Sequence, residues 1–144
     1  MFKYTIDKDY ILQIRHAIHE YPEIGFDLPR TTALVKAELD KMGIPYTEKY
    51  GQSSIVGYLN PEAKNYTIGL RADMDALLIK EANDVDYVSE HDGLMHACGH
   101  DTHMTMLLGA AKVLNENKAD IAGTIKLVFQ TDEENARGAE RSIA

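Results

Sequence analysis

The run Thr124-Ile125-Lys126-Leu127-Val128-Phe129-Gln130 constrains the fold of this chain more than any other stretch. Its apolar side chains are nearly continuous, so a strand here wants cover on both faces, as a central strand of a layered sheet has. Asp132, Glu133 and Glu134 follow it at once. Ligand sites in open α/β sheets gather beyond the carboxyl ends of strands, which is where these carboxylates stand.

The rest of the 144 residues suits one domain with a single core, and no repeat or linker interrupts it. Asp7 is the expected cap of a first helix running to about Tyr21, with Ile11, Ile14, Ile18 and Tyr21 on one stripe. Pro22 stops it, and Pro29 opens a second helix with Asp27 or Leu28 as cap. Leu34, Val35, Leu39 and Met42 form that helix's buried face, and Gly43 ends it. The Ile44–Thr47 stretch leads into extended chain. Strands are expected at Ser54–Leu59 and Tyr66–Leu70, and a long polar loop over 80–95. A third helix, apolar on most sides, is expected from Met104 to Asn117. Helices mixed with strands in this order predict an α/β layered fold, a mostly parallel sheet flanked by helices.

A net charge of −8 argues against nucleic acid or an anionic membrane as the main partner, since both require clustered Lys and Arg. The single cysteine excludes an internal disulfide, which suits a reducing cytoplasm. The segment Met1–Asp7 lacks the apolar core of a signal peptide, and no run approaches the ~18 apolar residues of a membrane helix. A soluble cytoplasmic protein is therefore expected.

Three constellations carry chemistry. Asp73 and Asp75 stand at i and i+2 just past a strand, so both carboxylates face one side and repel each other unless a cation compensates. A solvated loop with Arg71 as partner is the plainer alternative. Second, Cys98-Gly99-His100 lies in a segment holding four of the six histidines. A thiolate and an imidazole split by glycine can converge on one divalent cation, although the same residues would make a turn with a core cysteine. Asp101 and His103 are placed to orient the ligands, and His96 to be a ligand, a substrate contact or neither. Third, Glu133 and Glu134 are adjacent and point in divergent directions. One of them can hold a metal while the other stays free as a base, the division that metal-assisted hydrolysis needs.

Arg71-Ala72-Asp73-Met74-Asp75-Ala76-Leu77, the segment Gly93–His103, and Phe129-Gln130-x-x-Glu133-Glu134 with Gly138-Ala139 resemble the M20 metallopeptidase family, and most closely its amidohydrolase branch. His19 with Pro22-Glu23-Ile24-Gly25-Phe26 resembles that branch's N-terminal pattern. The resemblance implies a catalytic α/β domain of zinc-peptidase type, with a smaller inserted domain through which a homodimer can form. It places this chain, 1–144, as the N-terminal part of the catalytic domain, without the inserted domain and the C-terminal ligands. It implies Cys98, His100 and Glu134 as metal ligands, Glu133 as general base on water, and Asp75 as an active-site aspartate. Asp73 stands where the wider family has a histidine ligand and is not counted as one.

The cofactors implied are two divalent ions per complete site. Zinc or manganese is favoured, and cobalt or nickel is compatible. The expected substrate is a small N-acyl amino acid whose amide bond is hydrolysed. A dipeptidase or carboxypeptidase of the same family and a non-catalytic metal-binding module are the alternatives, and this chain alone is expected to be inactive. Leu78 departs from a usual proline, Thr131-Asp132 from Pro-Ala, and Asn135-Ala136-Arg137 from a glycine-rich stretch.

Overall fold

The structure, a computed structural model, describes residues 4–143. Helix α1 spans Lys8–His19, and Asp7 caps it by accepting the Tyr10 N–H at 3.0 Å. The helix stops short of Tyr21 because a residue that precedes proline, here Pro22, is disfavoured in the helical region. Helix α2, Pro29–Met42, starts with proline in its first turn and ends on Gly43 in the left-handed conformation. Leu28 holds its cap position without a side-chain bond. Glu23 serves instead, its carboxylate accepting the N–H groups of Arg30 at 3.1 Å and Thr31 at 2.8 Å.

Strands β1 (Tyr46–Thr47), β2 (Ile55–Leu59), β3 (Thr67–Asp73) and β4 (Thr124–Gln130) form one sheet in the order β1-β2-β4-β3. Among the described residues only β3 and β4 pair in parallel, while β1–β2 and β2–β4 are antiparallel. The expectation of a mostly parallel sheet is corrected to that extent. A parallel pair needs a long crossover, and the chain supplies one only between β3 and β4, through helix α3 (His100–Glu116). The short link from β2 to β3 reverses the chain and sets β2 against β4.

Ile125, Leu127 and Phe129 of β4 enter one core with Ile14 and Ile18 of α1, Val35 and Leu39 of α2, and Met104, Leu107 and Leu108 of α3. On the other side of the strand Lys126 is exposed and Val128 half-buried, so the helical cover lies on one face, not on both. A short 3-10 turn, Lys118–Asp120, precedes β4, and helix α4, Gly138–Ile143, follows the acidic turn beyond it.

Candidate metal centre

The parallel register brings the ends of β3 and β4 level, with Asp73 opposite Gln130. The ladder continues one step further, Met74 donating to the Gln130 carbonyl at 2.8 Å. Asp75 is then fully buried with its carboxylate turned toward the segment after β4, where it accepts the N–H of Glu133 at 3.0 Å and of Glu134 at 3.1 Å. Burial opposes its charge, but His100 and these two amides prevail and hold its carboxyl below the usual range.

The Glu133–Glu134 turn is tight. Asp132 and Ala136 both take positive φ, and the Asp132 carbonyl accepts the N–H groups of Arg137 and Gly138. The buried Asp132 side chain accepts from Asn135 Nδ2 at 2.6 Å, so this third acid serves the turn. A Cβ on Gly138 would fall 1.7 Å from the Thr131 carbonyl oxygen, so no other residue closes this turn unmoved.

Helix α3 begins at His100, one turn earlier than its apolar pattern predicts. Its N-cap is Gly99, at φ +87°, a left-handed geometry natural to glycine. The first turn therefore carries His100 inward, fully buried. Its Nδ1 lies 2.8 Å from the Asp75 carbonyl oxygen. A carbonyl can only accept, so Nδ1 carries the hydrogen and Nε2 faces the site. Around Nε2 stand Glu133 Oε2 at 3.5 Å, and Asp73 Oδ2 and Glu134 Oε1 each at 3.7 Å. Burial works against a charged ring here, yet Asp75 and Asp73 outweigh it and push the His100 pKa up to about 9. The exposed Cys98 thiol is pushed up as well, by desolvation first and then by Glu134, Glu133 and Asp73. So many anions facing one thiol favour a bound cation, which would reverse these shifts.

Donor atoms of Cys98, His100 and Glu134 lie within 4.8 Å of one another, so the structure brings the three expected ligands together. Glu134 Oε1 is buried and has no hydrogen-bond partner among the described residues. An S, N, O donor set with an orphaned carboxylate oxygen fits a divalent cation. A second group, Asp73, His100 and His103, meets the same distance condition. His100 has one lone pair at Nε2, so the two groups are alternatives at that atom. Asp73 and His103 are not among the ligands expected from the sequence. The signal was present in the i, i+3 spacing of His100 and His103 on one helical face.

The Asp75 backbone, not Asp101, orients the His100 ring. Asp101 turns away to His19 Nδ1 at 2.7 Å and Arg15 Nε at 3.2 Å. His96 is buried 6.4 Å from the His19 ring, centroid to centroid, and neither of its ring nitrogens has a hydrogen-bond partner among the described residues. Its burial lowers its pKa to about 4. Among the described residues no helix is long and apolar enough to cross a membrane.

Comparison with known proteins bears on this geometry. The chain is 46% identical over 135 residues to IAA-amino acid hydrolase ILR1-like 5 of Arabidopsis thaliana, covering 94% of this chain and 31% of that protein. It is also 46% identical over 129 residues to thermostable carboxypeptidase 1 of Saccharolobus solfataricus, covering 89% of this chain and 33% of the relative. The chain thus spans about a third of the length of the curated relatives it matches. Its fold is similar to that of the Bacillus subtilis YXEP protein, described as a dinuclear metal binding peptidase. That similarity has a TM-score of 0.89 at 33% identity, over 95% of this chain and 39% of that one. The family model of peptidase family M20/M25/M40 matches residues 69–144, which hold all three constellations, and the chain belongs to that family.

Proposed function

We propose that this chain supplies the N-terminal half of the centre of a metal-dependent amidohydrolase, which cleaves the amide bond of an N-acyl amino acid. The observation that supports the reading best is the convergence of Cys98, His100 and Glu134 with Glu133 at their rim. Cys98, His100 and Glu134 would hold the ion, zinc or manganese for preference, and residues beyond this chain would complete a two-ion set. A bound cation would supply Lewis acidity, polarising the amide carbonyl and making water more acidic.

The two glutamates differ in a way that assigns them roles. The side chain of Glu133 is 39% exposed and that of Glu134 19%, and only Glu134 leaves a carboxylate oxygen buried without a partner. Glu134 suits a ligand, and Glu133 suits the base. Glu133 takes a proton from the attacking water and returns it to the departing amine, so that the C–N bond breaks to an acid and a free amino acid. Asp75 holds both glutamates by their backbone. A cytoplasmic setting and a homodimer formed through an inserted domain of the whole protein belong to the same reading.

The test uses the whole protein that carries this chain. N-acetyl, N-benzoyl and N-indoleacetyl amino acids are expected as substrates, and Glu133→Gln should lower kcat by ~10²–10⁴ while metal content stays unchanged. Turnover of dipeptides alone would move the assignment to a peptidase, the reading that similarity to a carboxypeptidase favours. The 144-residue chain by itself is expected to bind an ion without hydrolysis, and hydrolysis by it would refute the incompleteness proposed here.

A further inference from the structure

We infer that His19 is a positioning residue of the metal centre, a pin that fixes the loop carrying Cys98 against the helix carrying His100. The inference rests on the metal-centre reading above.

His19 ends α1 and is buried. Each of its ring nitrogens faces a buried carboxylate side chain. Nδ1 lies 2.7 Å from Asp101 Oδ2 and Nε2 lies 3.0 Å from Glu81 Oε1. Neither carboxylate is a proposed ligand, and they belong to different sides of the site. Asp101 sits in the first turn of α3, next to His100, and its other oxygen accepts the Thr102 N–H at 2.8 Å. Glu81 organises the long loop, where it accepts Asn83 Nδ2 at 2.9 Å and the Ser89 N–H at 2.7 Å.

That loop is carried on to the site. Leu77 and Met95 exchange backbone hydrogen bonds at 3.0 and 3.1 Å, which fixes the chain three residues before Cys98. Further bonds tie the loop to α1 and its C-cap: Glu90 N–H to the carbonyl of the cap residue Glu20 at 2.8 Å, and Arg15 to the Tyr87 hydroxyl at 3.2 Å. Between Cys98 and His100 the backbone passes through Gly99, which has no Cβ and no neighbour within 4 Å of where one would sit. Gly99 is the joint between loop and helix: its carbonyl accepts the N–H groups of Thr102 at 2.9 Å and His103 at 3.0 Å on the helix side, and its own N–H reaches the His96 carbonyl at 3.3 Å on the loop side. His19 adds a second tie across that joint by gripping Glu81 on the loop side and Asp101 on the helix side.

The test compares wild type with His19→Asn, which keeps a donor toward Asp101 and loses the reach to Glu81, and with Glu81→Ala, which leaves α1 and α3 untouched. Cobalt(II) titration of the chain reads the thiolate-to-cobalt charge-transfer band, with Cys98→Ser as the control that abolishes it. Both variants should bind cobalt more weakly by up to about 10-fold, the low end of the range for groups bonded directly to a ligand, since His19 and Glu81 act one step further out. Amide hydrogen exchange of the metal-free chain should quicken at residues 95–99 and stay unchanged within α2. Wild-type cobalt affinity in both variants, or weakening matched by faster exchange throughout α2, would overturn the inference. If wild type shows no Cys98-dependent band, the metal-centre reading fails instead. Exchange at 95–99 still decides whether His19 holds the segment, and unchanged rates there refute it.

Discussion

Replacing Asp75 with Asn tests how the acidic turn is held. The Asp75 carboxylate accepts two backbone N–H groups, from Glu133 and Glu134, at 3.0 and 3.1 Å, in full burial. An amide of the same shape has one acceptor oxygen, so its NH₂ must face the second N–H. The exchange turns one charge-assisted bond into a neutral one, a loss of about 1 kcal/mol, and leaves one buried donor unsatisfied at a further cost of about 1–3 kcal/mol. The sum is a destabilisation of roughly 2–4 kcal/mol, a large part of an ordinary domain's stability. Because the folded pKa of Asp75 lies below its ordinary value, its contribution is complete above the usual carboxylate range and fades as pH falls through the folded value. Urea denaturation of the chelator-treated chain, followed by circular dichroism, should show a lower midpoint with unchanged slope at pH 7. The gap to wild type should close in acid. A difference under about 0.5 kcal/mol at pH 7, or a gap that persists below the titration of Asp75, would refute the reasoning.

Further outcomes follow from single residues. Gly99→Ala meets no neighbour but forces φ +87° on an L-residue, and should cost about 1–2 kcal/mol in urea denaturation. Gly138→Ala places a Cβ 1.7 Å from a backbone oxygen, so it should cost more than Gly99→Ala and displace the Glu133–Glu134 turn, seen as faster amide exchange there. The His100 pKa is raised from 6.5 to about 9, so its stabilising contribution to the cation-free chain is complete below pH 6.5 and lost as pH rises through 9. Thermal unfolding midpoints across that window should fall for wild type and lie flatter for His100→Gln.

Several periodic elements were legible in the sequence to within a residue or two, whereas β3 runs three residues beyond the expected Leu70 and takes in Asp73. β4 occupies Thr124–Gln130 as its apolar run predicts, and α2 runs from Pro29 to Met42 and is capped by Gly43 as its punctuation predicts. The start of α3 was hidden because His100-Asp101-Thr102-His103 offers no apolar stripe, and a glycine caps it where a serine or aspartate would announce one. Strand direction is not legible in the sequence, because the apolar run of β4 implies burial without saying which neighbour supplies it. In the site, the nearness of Cys98, His100 and Glu134 could be anticipated from residue type and strand ends. The service of Asp75 to amides 58 and 59 residues away could not, nor could that of His19 to Glu81 and Asp101, because no local spacing records such a bond.

The parallel pairing of β3 with β4 has a kinetic consequence. It joins Thr67 to Thr124 across the whole of the long loop and α3, a distant closure that costs chain entropy before any contact returns it. Until that closure occurs, Glu133 and Glu134 are nowhere near His100, however much helix has already formed. A cation that needs Glu134 beside Cys98 and His100 would therefore bind the finished fold more tightly than any earlier species. It should lengthen the lifetime of the native chain without shortening the time taken to reach it, and stopped-flow refolding and unfolding traces with and without zinc would show this as slower unfolding at an unchanged refolding rate.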